Sequence, residues 1–157
     1  MKSRLVASAA ISALVLLGAT GCTFITPQST KIEYAASDGV NVSDKDGPID
    51  VRNALVIANE DGTVGNFIGA IVNPTQDRAT LTISLEGGDP FTVTVSAGKT
   101  ISLGSDEEPL RIVGLDTKPG ATVDIHFQSG DSAGVTTAVP VLDGTLPYYA
   151  DLAPEGD

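Results

Sequence analysis

A chain of 157 residues is long enough for one domain whose core needs no covalent staples, and its single cysteine excludes an internal disulfide framework. Nine Lys and Arg stand against twenty Asp and Glu, a balance that repels phosphate backbones and anionic headgroups, so neither nucleic-acid binding nor electrostatic adhesion to a membrane is expected.

In chain order, Lys2 and Arg4 precede a thirteen-residue apolar run from Leu5 to Leu17, too short to span a bilayer comfortably. Residues 1–21 therefore read as an export signal peptide. The stretch Leu17-Gly18-Ala19-Thr20-Gly21-Cys22 puts the only cysteine directly after small residues at the cleavage end. A bacterial lipoprotein box requires this arrangement, because the thiol takes a diacylglyceryl group and becomes the mature N-terminus. Ala19 is a departure, since such boxes usually prefer Leu. The competing reading, an ordinary signal-peptidase site, leaves an exposed free thiol that is liable to oxidation. Cys22 is therefore the expected lipid-attachment residue, and the expected location is the extracytoplasmic face of the cell membrane, held by a lipid anchor. Two acyl chains suffice for this, at about 0.8 kcal/mol per buried methylene. Processing leaves 136 residues with seven cations and twenty carboxylates, a formal charge of −13.

Residues 22–33 are polar and aperiodic, as expected of a tether; fully extended at about 3.3 Å per residue, its polar part lifts the following domain roughly 30 Å from the bilayer. Residues 34–146 read as the folded domain and residues 147–157 as an acidic C-terminal tail. Within the domain, Asp38-Gly39 and Asp44-Lys45-Asp46-Gly47-Pro48 are turn signals, after which short strand-like runs follow one another. They cover Ile49–Ala58, Asn66–Asn73, Ala79–Glu86, Phe91–Val95, Thr100–Leu103, Leu110–Gly114, Thr122–Gln128 and Val135–Val141. Leu81, Ile83 and Leu85 alternate with Thr80, Thr82 and Ser84, the period of a half-buried strand. Seven to eight such strands with turn signals between them and no helical period predict an immunoglobulin-like antiparallel β-sandwich, with a closed barrel as the alternative. The first two runs carry apolar residues on both faces, which calls for a cover from Tyr34–Val42, from the tail, or from another protein.

Gly130-Asp131-Ser132-Ala133-Gly134 matches the spelling of hydrolase nucleophile motifs, yet the only histidine, His126, precedes Ser132 and no strand-turn-helix elbow surrounds it. A hairpin loop is the expected role, so no catalytic residue is assigned and the protein is not expected to be an enzyme. Val123, Ile125 and Phe127 point inward, which turns His126 outward as a polar surface residue. With one histidine, one methionine (Met1) and Cys22 given to lipid, no soft-metal or zinc site and no cofactor is expected. Asp44, Asp46 and Asp50 flank the Gly47 turn but fail the EF-hand template, which would put Val42 at its first position and Asn53 at its twelfth. Asp106-Glu107-Glu108 reads as a solvated loop. Asn73-Pro74-Thr75 lacks the second proline and the aromatic of the Asn-Pro-Pro-Tyr motif of amino-methyltransferases.

Tyr34-Ala-Ala-Ser-Asp-Gly-Val-Asn41, Val51-Arg-Asn-Ala-Leu-Val-Ile57, Gly65-Asn-Phe-Ile-Gly-Ala-Ile-Val-Asn73, Pro119-Gly120 and Val139-Pro-Val-Leu-Asp-Gly-Thr-Leu-Pro-Tyr148, in this order and spacing, resemble the LpqE-type lipoproteins of actinobacteria. The resemblance covers most of the chain after Cys22. It implies a lipid-anchored immunoglobulin-like domain serving as an accessory or scaffold subunit of a membrane complex such as the respiratory bcc-aa3 supercomplex. The fold it implies is also similar to that of periplasmic copper chaperones, which hold copper with paired Met and His residues that this chain lacks. Two other expectations follow: a cell-envelope ligand-binding module, or a relic of a copper-chaperone fold.

Overall fold

The alternating threonines and aliphatics of Ala79–Leu85 and Phe91–Val95 form a hairpin, as their period requires, with Thr80 opposite Thr94 and Ile83 opposite Phe91. This hairpin belongs to a computed structural model of the chain that describes residues 37–154; the signal segment, Cys22, the tether and residues 155–157 lie outside the described residues. Nine strands are described: β1 (Val40–Ser43), β2 (Asp50–Ala58), β3 (Val64–Val72), β4 (Ala79–Leu85), β5 (Phe91–Val95), β6 (Thr100–Leu103), β7 (Leu110–Val113), β8 (Thr122–Ser129) and β9 (Val135–Leu142). Among the described residues one 3-10 turn, Ala150–Leu152, follows. The chain is thus an all-β sandwich, its sheet nearly closed on itself in the order β5-β4-β8-β9-β2-β3-β6, with β1 beside β2 and β7 beside β3.

Neighbours pair antiparallel except β2 and β9, which run parallel over Val56–Val141 and Ile57–Leu142. Pro140 is the last β9 residue in register with β8, and at Val141 β9 gains β2 as a second partner. Val141 still donates to the Ala121 carbonyl at 2.9 Å and accepts the Gly120 N–H at 2.8 Å, so both neighbours flank it there.

The core lies between the two halves of this sheet. Phe67 of β3 and Phe127 of β8 meet across it at a ring-centroid distance of 6.0 Å. Val51, Val56, Ile71, Leu81, Ile83 and Val139 are buried around them.

The two-sided strands of the sequence are explained by a second, smaller cluster. Past a bulge at Asn53, which has φ 53°, β2 alternates strictly: Ala54, Val56 and Ala58 enter the main core, while Leu55 and Ile57 face the other way. There they meet Ile68 of β3 and the C-terminal segment, through Tyr149, Leu152 and Ala153. The covering element is the C-terminal segment. It is held by polar bonds as well as contact, since Asn66 Nδ2 donates to the Leu152 carbonyl at 2.9 Å and the Tyr149 hydroxyl donates to Asp38 Oδ2 at 2.8 Å. The Tyr148 ring packs edge-on against Tyr149 at 4.5 Å.

Burial first, then the bond to Asp38 and its charge, push the Tyr149 phenol up from 10.0 to about 12. A folded-state value above the unfolded one means stability that is fully present below pH 10 and lost as pH rises toward 12. The native chain is therefore expected to lose stability across this window, and Tyr149→Phe to lose less there. At neutral pH that variant gives up the bond itself, about 1–2 kcal/mol. Urea midpoints measured from pH 8 to 12 on both proteins check this.

Candidate functional site

Gly130–Gly134 is the turn between β8 and β9, and Gly130 (φ 61°) and Gly134 (φ 77°) supply the left-handed backbone it needs. Ser132 is buried within it, 6% exposed, and its hydroxyl donates to the Ser129 carbonyl at 2.8 Å. His126 instead shares a hydrogen bond with Thr136 Oγ1 through Nδ1, at 3.1 Å, on the outer face of the sheet. The hydroxyl closes a turn, and the imidazole is engaged elsewhere. A buried hydroxyl bonded to main chain predicts that Ser132→Ala lowers stability by about 1–2 kcal/mol, read as a thermal-melt shift.

The acidic residues around Gly47 do not converge. Asp50 is paired with Arg52 at 3.0 Å, while Asp44 Oδ1 accepts the Asp46 N–H at 3.2 Å. Asp44 Oδ2 is buried without a hydrogen-bond partner, pressed beside the Gly47 turn, where a Cβ would come within 2.5 Å of Ser129 Oγ. Ser129 Oγ in turn accepts the Ile49 N–H at 3.3 Å. Among the described residues no three His, Cys, Asp or Glu side chains stand close enough together to hold a metal ion. Asp106 and Glu107 wrap a tight turn, both N–H groups donating to the Ser102 carbonyl.

Asn73, the last residue of a predicted strand run, is a structural peg. It is 1% exposed, with Nδ2 donating to the carbonyls of Asp77, Val95 and Ser96 and Oδ1 accepting from Thr75.

The concave surface lies elsewhere. Among the described residues β5 bonds only to β4, and β6 and β7 bond only to β3, so the nearly closed sheet stays open between these edges. A cleft of about 590 Å³ sits at one end of this seam, between the β4–β5 turn and β7, with Leu85, Phe91, Ile112 and Val123 as its apolar walls. Glu86, Asp89, Asp116 and Asp124 rim it, with Arg111 as its single cationic side chain. A second cleft, about 570 Å³, is lined by Val93, Ile101, Leu103 and Leu110 and rimmed by Glu107 and Glu108. Val113, at 74% exposure, is a large apolar side chain left in solvent at the first cleft. None of this was visible in the sequence as a site; only the exposed acidic turns were.

No protein-family model and no curated protein matches the chain. Solved structures do: the apo PCuAC domain from PmoF1 has a TM-score of 0.50 at 13% identity, covering 60% of this chain and 93% of that one. The apo PmoF2 PCuAC domain has a TM-score of 0.50 at 10% identity, covering 64% and 94%. A copper-bound PCuAC domain from PmoF2 has a TM-score of 0.49 at 11% identity, covering 62% and 94%. At such identities the likeness to the two apo domains shows a PCuAC-like fold.

Proposed function

We propose that this protein is a non-enzymatic, lipid-anchored accessory subunit of the LpqE type. It is tied by acylated Cys22 to the extracytoplasmic face of the membrane and docks on a membrane protein complex such as the respiratory bcc-aa3 supercomplex. The observation that carries the reading is a PCuAC-like fold combined with a donor set unfit for copper. The whole sequence holds one histidine, one methionine and one cysteine, and the imidazole is engaged with Thr136. Paired soft ligands cannot be assembled from these. What the fold retains is a rigid scaffold with an acidic surface, and a mature charge of −13 suits a partner with a basic face.

Two measurements test this. On the full chain carrying Cys22→Ala, so that the thiol contributes nothing, titration of Cu(I) against a chromogenic chelator is expected to show no stoichiometric competition. One equivalent of tightly held Cu(I) would return the protein to copper delivery. In cells, the native protein is expected in the membrane fraction and the Cys22→Ala form outside it; equal partitioning of the two would remove the lipid anchor from the account.

A further inference from the structure

The two clefts are lined by the same two strands, β5 and β7. Phe91 and Val93, same-face neighbours on β5, line the first and the second respectively, and Arg111 and Leu110 do the same on β7. Both flanking strands are sheet edges. A strand that bonds on one side only presents a row of N–H and C=O groups on the other, which is a template for an added strand. Native proteins usually blunt such edges with lysine or with a covering element. Here the C-terminal segment covers the outer face of β2 and β3 instead, and the seam carries apolar walls under a rim of one sign: six carboxylates, all exposed, against one guanidinium. Among the described residues two non-glycine positions have positive φ, and one is Asp116 on this rim, at 50°. The rim chemistry selects cations, and the walls between the edges select an extended chain with alternating apolar side chains.

We infer that the β5–β7 seam is the docking groove for an extended, lysine- or arginine-bearing segment of the partner protein, added as a strand along an open edge with its apolar side chains between Phe91, Val93 and Leu110 and its cations on the acidic rim. The inference rests on the accessory-subunit reading for the partner's being a membrane complex, but the groove chemistry is tested apart from it. The probe is a fluorescein-labelled heptapeptide alternating Lys and Val with a photoreactive benzophenone at one end, and its control has Glu in place of Lys. Binding to the full chain in mild detergent is followed by anisotropy, and the cross-links are mapped by mass spectrometry.

The lysine peptide is expected to bind and the glutamate peptide not to bind, with cross-links on Phe91–Val95 or Leu110–Val113. Affinity should fall about tenfold or more as salt rises from roughly 50 to 500 mM. The double change Asp89→Asn with Asp124→Asn should weaken binding about tenfold, whereas Asp77→Asn with Asp131→Asn, the same charge change away from the seam, should leave it within about twofold. All four positions are exposed, so folding is not at stake. Equal losses from the two pairs would reduce the effect to bulk charge and overturn the groove. Cross-links elsewhere, or no binding at all, would overturn it as well. Either result leaves co-purification with a membrane complex to stand or fall by itself, and failed co-purification with seam binding intact would reject the accessory reading alone.

Discussion

Phe67→Ala is expected to cost about 3–5 kcal/mol, the largest loss of any single truncation considered for this domain. Phe67 is 0% exposed on β3, and its ring meets Phe127 of β8, so it spans the space between the two halves of the sheet. Removing it leaves a cavity where strands of opposite faces touch, and strands on a curved sheet cannot collapse inward without breaking their ladders. The aromatic pair itself accounts for about 0.5–1.5 kcal/mol beyond burial. Since domains of this kind are stable by about 5–15 kcal/mol, a substantial unfolded population is expected in moderate urea. Phe67→Leu, which keeps most of the volume, should lose less than about half as much. Equilibrium urea unfolding of the three proteins decides it, and a Phe67→Ala cost under about 1 kcal/mol would show that the two sheet halves do not share this core.

Asn73→Asp is expected to cost about 3–5 kcal/mol at neutral pH although it changes almost no volume. The native amide donates to three carbonyls, at 2.8 Å to Asp77, 3.0 Å to Val95 and 3.3 Å to Ser96. An introduced carboxylate brings lone pairs to those oxygens and buries a charge at a position 1% exposed. That environment raises the pKa of the introduced carboxyl. The destabilisation should therefore be smallest below its unfolded value of about 3.9 and grow as pH rises through the folded one. Urea midpoints at pH 3 and pH 7, each referred to the native protein at the same pH, should show the gap narrowing in acid. A pH-independent gap would mean that packing, not the reversed polarity, sets the cost.

The strands from β4 onward were legible because each carries one apolar face, and period two is then visible residue by residue, as in Leu81, Ile83 and Leu85. The short β1 was not. Val40 and Val42 are too few to show a period, and the pairing depends on the Asn53 bulge, whose side chain accepts the Gly39 N–H at 2.8 Å. The second burial face of β2 and β3 could be read from Leu55, Ile57 and Ile68, but not its cover, because Tyr149 and Leu152 sit in a segment whose composition reads as an acidic tail. The Ser132 motif was correctly assigned to a hairpin, since nucleophile chemistry needs a base that the chain order does not offer. The seam was illegible for a topological reason. Which strands end a sheet depends on long-range pairing, here on the parallel contact of β9 with β2, and local pattern carries no record of it.

If the protein is, as proposed, an anchored partner of a membrane complex, it co-purifies with that complex. The intact protein is pulled down from gently solubilised native membranes beside a Cys22→Ala control, with bound proteins identified and quantified by mass spectrometry. Stoichiometric recovery of respiratory-chain subunits is expected with the native protein, and their loss or reduction with the control. Recovery of the protein alone, under conditions where the respiratory supercomplex stays intact, would overturn the proposed role.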